Sequence, residues 1–181
     1  MITFRKLNPR AALPTRATAG SACYDAEACL LIGDTITSFN SMNDEGRTQL
    51  TSETIMVGPG DRILVPLGWA VKLPQDVSMR IYSRSGLALK QGLIVANGVG
   101  IVDADYRHQV YAIIANTSKK WVSISHGARI CQVEFVPRHN YNEDIAVVDD
   151  VSDVDWFDSD RKGGFGSTGV LTTNSNGVIL H

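Results

Sequence analysis

Ile63-Leu64-Val65-Pro66-Leu67-Gly68-Trp69-Ala70-Val71-Lys72-Leu73 is the stretch whose reading decides the fold. Its odd positions, Ile63, Val65, Leu67, Trp69, Val71 and Leu73, are all apolar. Successive side chains of a strand point to opposite faces, so a period of two describes a strand with one buried face and does not suit a helix. Pro66-Leu67-Gly68, like Gly58-Pro59-Gly60-Asp61 upstream, is turn chemistry and divides the run into short strands. The alternation returns at Val110, Ala112 and Ile114, at Trp121 to Ile124, and at Cys131, Val133 and Phe135. Ile2 to Leu7 and Met79 to Ser83 read as further strands. Many short strands punctuated by Gly and Pro predict an all-β domain of two packed antiparallel sheets.

Composition narrows the function classes. The chain has 181 residues, 44% of them hydrophobic, enough for one domain with a substantial core. A net charge of -2 and a pI near 6.0 leave no broad basic surface for duplex nucleic acid. No run of about eighteen apolar residues and no basic-then-apolar leader is present, so the expected setting is intracellular, in cytoplasm or nucleus. Cys23, Cys29 and Cys131 are odd in number and lack zinc spacing; they read as small buried or half-buried residues in a reducing compartment. His108, His126, His139 and His181 form no ligand pair and carry no assigned chemistry.

Chemistry concentrates in Asn97-Gly98-Val99-Gly100-Ile101-Val102-Asp103-Ala104-Asp105-Tyr106-Arg107. The glycines allow close approach of backbone to a flat ligand, and the apolar residues read as two short strands meeting in a hairpin, whose tip could pair with a nucleobase edge. Asp103 follows Ile101-Val102 and would be partly desolvated, a candidate base for a water. Taken alone, the stretch equally suits an ordinary hairpin with Asp103 and Asp105 as turn residues. Upstream, Arg84-Ser85-Gly86-Leu87-Ala88 follows a strand and opens a segment of good helix propensity, where backbone N–H groups, the Ser85 hydroxyl and the Arg84 charge suit phosphate oxygens. Downstream, Arg161-Lys162-Gly163-Gly164-Phe165-Gly166-Ser167-Thr168-Gly169 is glycine-rich, and such a segment tends to order only over a ligand.

These stretches, with Ala19 to Ala28 and Gly127 to Val133, resemble in order the five signature motifs of the trimeric deoxyuridine triphosphatases, the dUTPases. The resemblance implies a jelly-roll topology and a Mg²⁺-dependent dUTP diphosphatase working as a homotrimer, each site built from three chains. It also implies residue roles. Asp25 would hold waters around the Mg²⁺, although Ser21-Ala22-Cys23 lengthens the usual spacing and a structural carboxylate on a strand is the other reading. Arg84, Ser85 and Gly86 would meet the phosphates. Asn97 and the main chain of Gly100, Ile101 and Val102 would bind uracil, with a further main-chain contact at Tyr111. Asp103 would be the general base, and Tyr106 would stack on the deoxyribose and block a 2′-hydroxyl. Gln132 would face the phosphates and the attacking water; without the other motifs it is an ordinary outward residue of a strand. In the fifth motif Phe165 would stack on uracil, and Gly166, Ser167 and Thr168 would meet the β- and γ-phosphates. Arg161 would meet the γ-phosphate, and it stands one residue closer to the glycine pair than the family usually has it.

Three segments fall outside this pattern. About twenty residues, 33–53, are added where the family has a short turn. They are polar and read as a surface β-hairpin with Asp44-Glu45-Gly46 at its tip: a tolerated insertion, a flap, or an arm for a protein partner. Glu143 to Asp160 holds eight carboxylates in eighteen residues without the glycine of an EF-hand, and reads as a solvated connector along a neighbouring subunit. Residues 170–181 have no readable role. The expected division is therefore a β domain over 1–156, an arm over 157–169 and a tail over 170–181. Two other functions stay open: a dCTP deaminase-type relative, and a nucleotide-controlled regulatory module that uses 33–53. An insertion of this kind suggests a phage or viral member, which would place the protein in a host cell's cytoplasm.

Overall fold

The computed structural model describes residues 1–138. Along them run β1 (Thr3–Lys6), β2 (Tyr24–Glu27), β3 (Thr35–Phe39), β4 (Glu45–Gln49), β5 (Thr54–Val57), β6 (Arg62–Lys72), β7 (Val77–Ser83), α1 (Ser85–Gln91), β8 (Leu93–Val95), β9 (Gly100–Val102), β10 (Gln109–Asn116), β11 (Val122–Ser125) and β12 (Arg129–Pro137). Every pairing among these strands is antiparallel. The largest sheet has the order β4-β3-β6-β10-β8, with β1 also on β6; a second has the order β2-β12-β7-β9, and β11 and β5 form a short ribbon. Side chains from both larger sheets fill one core, with Val65, Trp69 and Val71 from β6, Ile114 from β10, Met79 from β7 and Val133 from β12 among its buried members. The expected all-β architecture is present. No helix among the described residues is long and apolar enough to cross a membrane.

The period-two reading of Ile63 to Leu73 holds at every odd position, all six being buried. The expected break at Pro66-Leu67-Gly68 does not occur. β6 is one strand of 11 residues that runs through it. Gln109 faces Ala70 while Tyr111 faces Pro66, so β6 carries extra residues here, and Gly68 at φ +77 turns a breaker into a bulge. A Cβ on Gly68 would stand 2.6 Å from Sγ of Cys29 and 2.7 Å from Cβ of Ala11. Only glycine lets the three segments pass this closely. The carbonyls of Pro66 and Gly68 accept from the N–H groups of Cys29 (2.8 Å) and Leu7 (2.9 Å), so the edge of β6 opposite β10 stays covered between β3 and β1.

The insertion is a hairpin, as expected, but its tip lies at 40–44; Glu45 and Gly46 are already in β4. The reason is Asn40. Its Oδ1 accepts from the N–H groups of Met42 and Asp44, both at 2.9 Å, and fixes the turn there. The hairpin is also less of an excursion than its polarity suggests. Ile36 and Leu50 are buried in the core, and Ser38 and Phe39 pair with Ile63 and Arg62, so β3 continues the large sheet. Cys29 and Cys131 are buried and Cys23 is half-buried, all three free thiols. Burial, with a smaller contribution from Asp25, pushes the Cys131 thiol up to about 12, so it behaves as an apolar residue.

Candidate active site

Two groups of sequence-predicted residues come together at two places. The first is a cavity of about 430 Å³ whose lining includes Asn97, Gly100, Ile101, Val102, Asp103, Tyr106 and Tyr111. Its remaining walls are apolar: Leu64, Ile81, Val95, Val110, Ala112 and Ile113. The expected hairpin over Asn97 to Val102 takes a different form. β8 pairs with β10 while β9 pairs with β7, so the turn joins two sheets instead of closing one. Gly98, at φ +71, donates to the carbonyl of Val95 (3.1 Å) and makes the corner possible. β9 ends its sheet. One row of its N–H and C=O groups therefore has no strand partner among the described residues and is available to a ligand edge.

Past β9 the chain turns at Asp103 to Tyr106, with the Tyr106 N–H donating to the Asp103 carbonyl at 3.2 Å. Asp103 is exposed in the single chain, not partly desolvated as its apolar neighbours suggest, because Ile101 points outward as well. Tyr106 donates its hydroxyl to the carbonyl of Gln109 at 2.7 Å, which holds the ring at the cavity wall. Partial burial, and to a lesser degree the neighbouring Tyr111, push its phenol above the usual range, so it remains a neutral donor.

The second place is a cluster around Asp25 on β2, a carboxylate only 6% exposed. Arg84 donates from Nε to Oδ1 at 2.9 Å and from Nη2 to Oδ2 at 3.3 Å, and its Nη1 reaches the carbonyl of Arg129 at 3.0 Å. Gln132 donates to Oδ1 at 3.3 Å and Arg129 to Oδ2 at 3.2 Å. Arg129 is missing from the sequence-level set. In a regular strand residues three apart face opposite ways, yet Arg129 and Gln132 reach one carboxylate because β12 bulges between Arg129 and Cys131. Arg84 is the N-cap residue of α1, and Ser85 and Gly86 open its first turn, both exposed. None of Asp25, Arg84, Ser85, Gly86 or Gln132 lines the cavity, so the two places are separate on one chain. Arg161, Phe165, Gly166, Ser167 and Thr168 lie outside the described residues, as do the proposed boundaries at 156 and 169.

A carboxylate offers about four lone-pair positions, and four donors already occupy those of Asp25. The described residues hold no group of three or more His, Cys, Asp or Glu that could cage a metal ion. This donor set suits a hard cation that arrives with phosphate oxygens and its own waters, and does not suit a resident ion.

Comparison with known proteins decides the family. Residues 50–169 match the family model described as dUTPase. The chain belongs to the dUTPase family. It is 34% identical over 167 residues to a deoxyuridine 5'-triphosphate nucleotidohydrolase of Hydrogenobaculum sp., covering 92% of this chain and 96% of that protein. A relative of the same name from Treponema denticola is 33% identical over 170 residues, covering 94% and 99%. Among solved structures, the dUTPase of Staphylococcus bacteriophage 80alpha, a mutant with dUpNHpp, shares the fold with a TM-score of 0.68 at 21% identity, over 94% of this chain and 99% of that one. The dUTPase from Streptococcus mutans follows at 0.58 and 23%, over 76% and 96%. These neighbours are dUTPases of jelly-roll type, the topology expected for this chain. The matched residues include the four stretches from Arg84 to Gly169 that resemble the family's later motifs, and the stretch around Asp25 precedes them.

Proposed function

We propose that this chain is a dUTP diphosphatase that hydrolyses dUTP to dUMP and pyrophosphate, limiting uracil incorporation into DNA and supplying dUMP. One observation carries the reading: a single cavity gathers Asn97, the free edge of β9, Asp103 and Tyr106. Uracil lies against the β9 edge, whose main-chain groups around Gly100, Ile101 and Val102 act with the Asn97 amide. A cytosine there leaves buried polar groups unpaired, which gives discrimination on the order of 10⁴. Tyr106, held by Gln109, packs against the sugar and excludes a 2′-hydroxyl. Asp103, at the cavity mouth, takes the proton of the attacking water as it approaches the α-phosphorus in line with the departing pyrophosphate.

Arg84, the Ser85 hydroxyl and the N–H groups that open α1 bind the triphosphate, and Gln132 orients it and the water. A Mg²⁺ ion bound with the nucleotide would be held by phosphate oxygens and by waters on Asp25, and it supplies charge neutralisation on the phosphates. The separation of the cavity from the Asp25 cluster supports a homotrimer in which neighbouring copies complete each site. The arm bearing Arg161, Phe165, Gly166, Ser167 and Thr168 closes over it from a third copy. An intracellular location follows from the substrate. The test is pyrophosphate release from dUTP, dCTP, dTTP and UTP with Mg²⁺ and with chelator. Fast release confined to dUTP and lost on chelation is expected; no release from dUTP, or ammonia release from dCTP, overturns the reading.

A further inference from the structure

We infer that Arg129 is an exchangeable ligand: it occupies Asp25 while the site is empty, and moves to the triphosphate when a metal-bound water takes its place on the carboxylate. The inference rests on the dUTP reading above and concerns a residue that reading does not use.

The four donors on Asp25 are not equal. Arg84 grips both oxygens, is anchored a third time on the Arg129 carbonyl, and has a side chain only 23% exposed. Arg129 makes one contact, at 3.2 Å, from a side chain 54% exposed. Bidentate, partly buried ion pairs are strong, whereas single exposed ones contribute little. Gln132 is neutral and shares Oδ1 with Arg84, so its departure would leave both cations beside the carboxylate. A water on a divalent cation needs one acceptor position on Asp25, and the cation itself is repelled by a neighbouring guanidinium. Arg129 is therefore the donor whose departure costs least and relieves most.

The bulge in β12 decides where it goes. Arg129 and Gln132 share the face that holds Asp25, next to Arg84 and the opening of α1. A guanidinium released from Oδ2 has five N–H donors, and two anions compete for it: the carboxylate of Glu27, its register partner on β2, and a triphosphate bound at the opening of α1, which carries several charges and binds a guanidinium in a fork. Metal arrival and phosphate binding are thereby coupled through one side chain: without metal Arg129 neutralises Asp25, and with metal it neutralises phosphate.

The test compares the full-length wild type with Arg129→Gln by calorimetric titration of dUMP and of dUpNHpp, each with Mg²⁺ and with chelator. dUMP affinity is expected to be unchanged. With Mg²⁺ the variant is expected to bind dUpNHpp about 10-fold or more weakly, the usual loss for a charge-assisted hydrogen bond. With chelator the two proteins are expected to agree within about 2-fold, since the wild-type Arg129 is then still on Asp25. An equal loss with and without metal, or no loss with metal, overturns the exchange alone. Failure of the wild type to bind either nucleotide overturns the dUTP reading, and the exchange with it. If Arg129→Gln does not fold, Arg129→Lys serves in its place, with the same metal-dependent pattern and a smaller loss of about 3-fold.

Discussion

The cavity beside β9 and the cluster around Asp25 serve one proposed reaction with different materials. The cavity is shaped by main chain and aliphatic walls, and none of the ion pairs among the described residues touches its lining. The cluster is almost entirely side-chain charge, with two guanidinium groups and an amide on one buried carboxylate. A base is flat and uncharged, and a fixed edge of donors and acceptors reads it. A triphosphate carries several charges and is better met by groups that can change partners.

Asp25→Asn breaks the comparison hardest. It removes the countercharge of two arginines in a partly buried setting and is expected to cost about 3 kcal/mol in urea unfolding, while deoxyuridine still binds the folded fraction. Unaltered stability would mean that the cluster is as dispensable as an exposed ion pair. Asp103→Asn comes next, with turnover of dUTP falling about 10²-fold and the melting temperature unchanged, because the carboxylate is exposed and makes no ion pair among the described residues. A matching fall in deoxyuridine affinity would give Asp103 a binding role instead. Ser83→Ala has the smallest effect and sharpens the comparison. The Ser83 hydroxyl accepts from the Val95 N–H at 2.8 Å and ties the strand that leads to Arg84 to the strand that leads to Asn97. Its loss is expected to cost about 1 kcal/mol and to weaken deoxyuridine binding a few-fold by calorimetry.

How much of this was legible in the sequence depends on how local the cause is. The β6 alternation was readable because side-chain parity is a property of the strand itself. The bulge at Gly68 was not, since it is set by Cys29 and Ala11 from another part of the chain. The cavity residues were found because they follow one another from Asn97 to Tyr106; the sheet-joining corner was missed because it depends on which strands β8 and β9 find. Arg129 was missed for both reasons. It lies 104 residues from Asp25, and only a bulge gives it the parity of Gln132. The hairpin tip was misplaced although Asn40, a side chain that caps its own turn, was there to be read.

A proline at 83 would offer no hydroxyl and would leave the Val95 N–H to find another partner, so the tie is specific to a hydroxyl side chain.

The insertion, finally, has two halves of different character. Its base carries Ile36 and Leu50 into the core, and its far end is tied back to the sheet: Ser38 and Phe39, next to the tip, pair with β6, and Arg62 donates to Oδ1 of Asn43 in the tip itself. The other half is β4, which pairs with β3 and with no further strand among the described residues. The hairpin is therefore fastened at both ends along β3, and its open side is β4, an edge that another chain could extend.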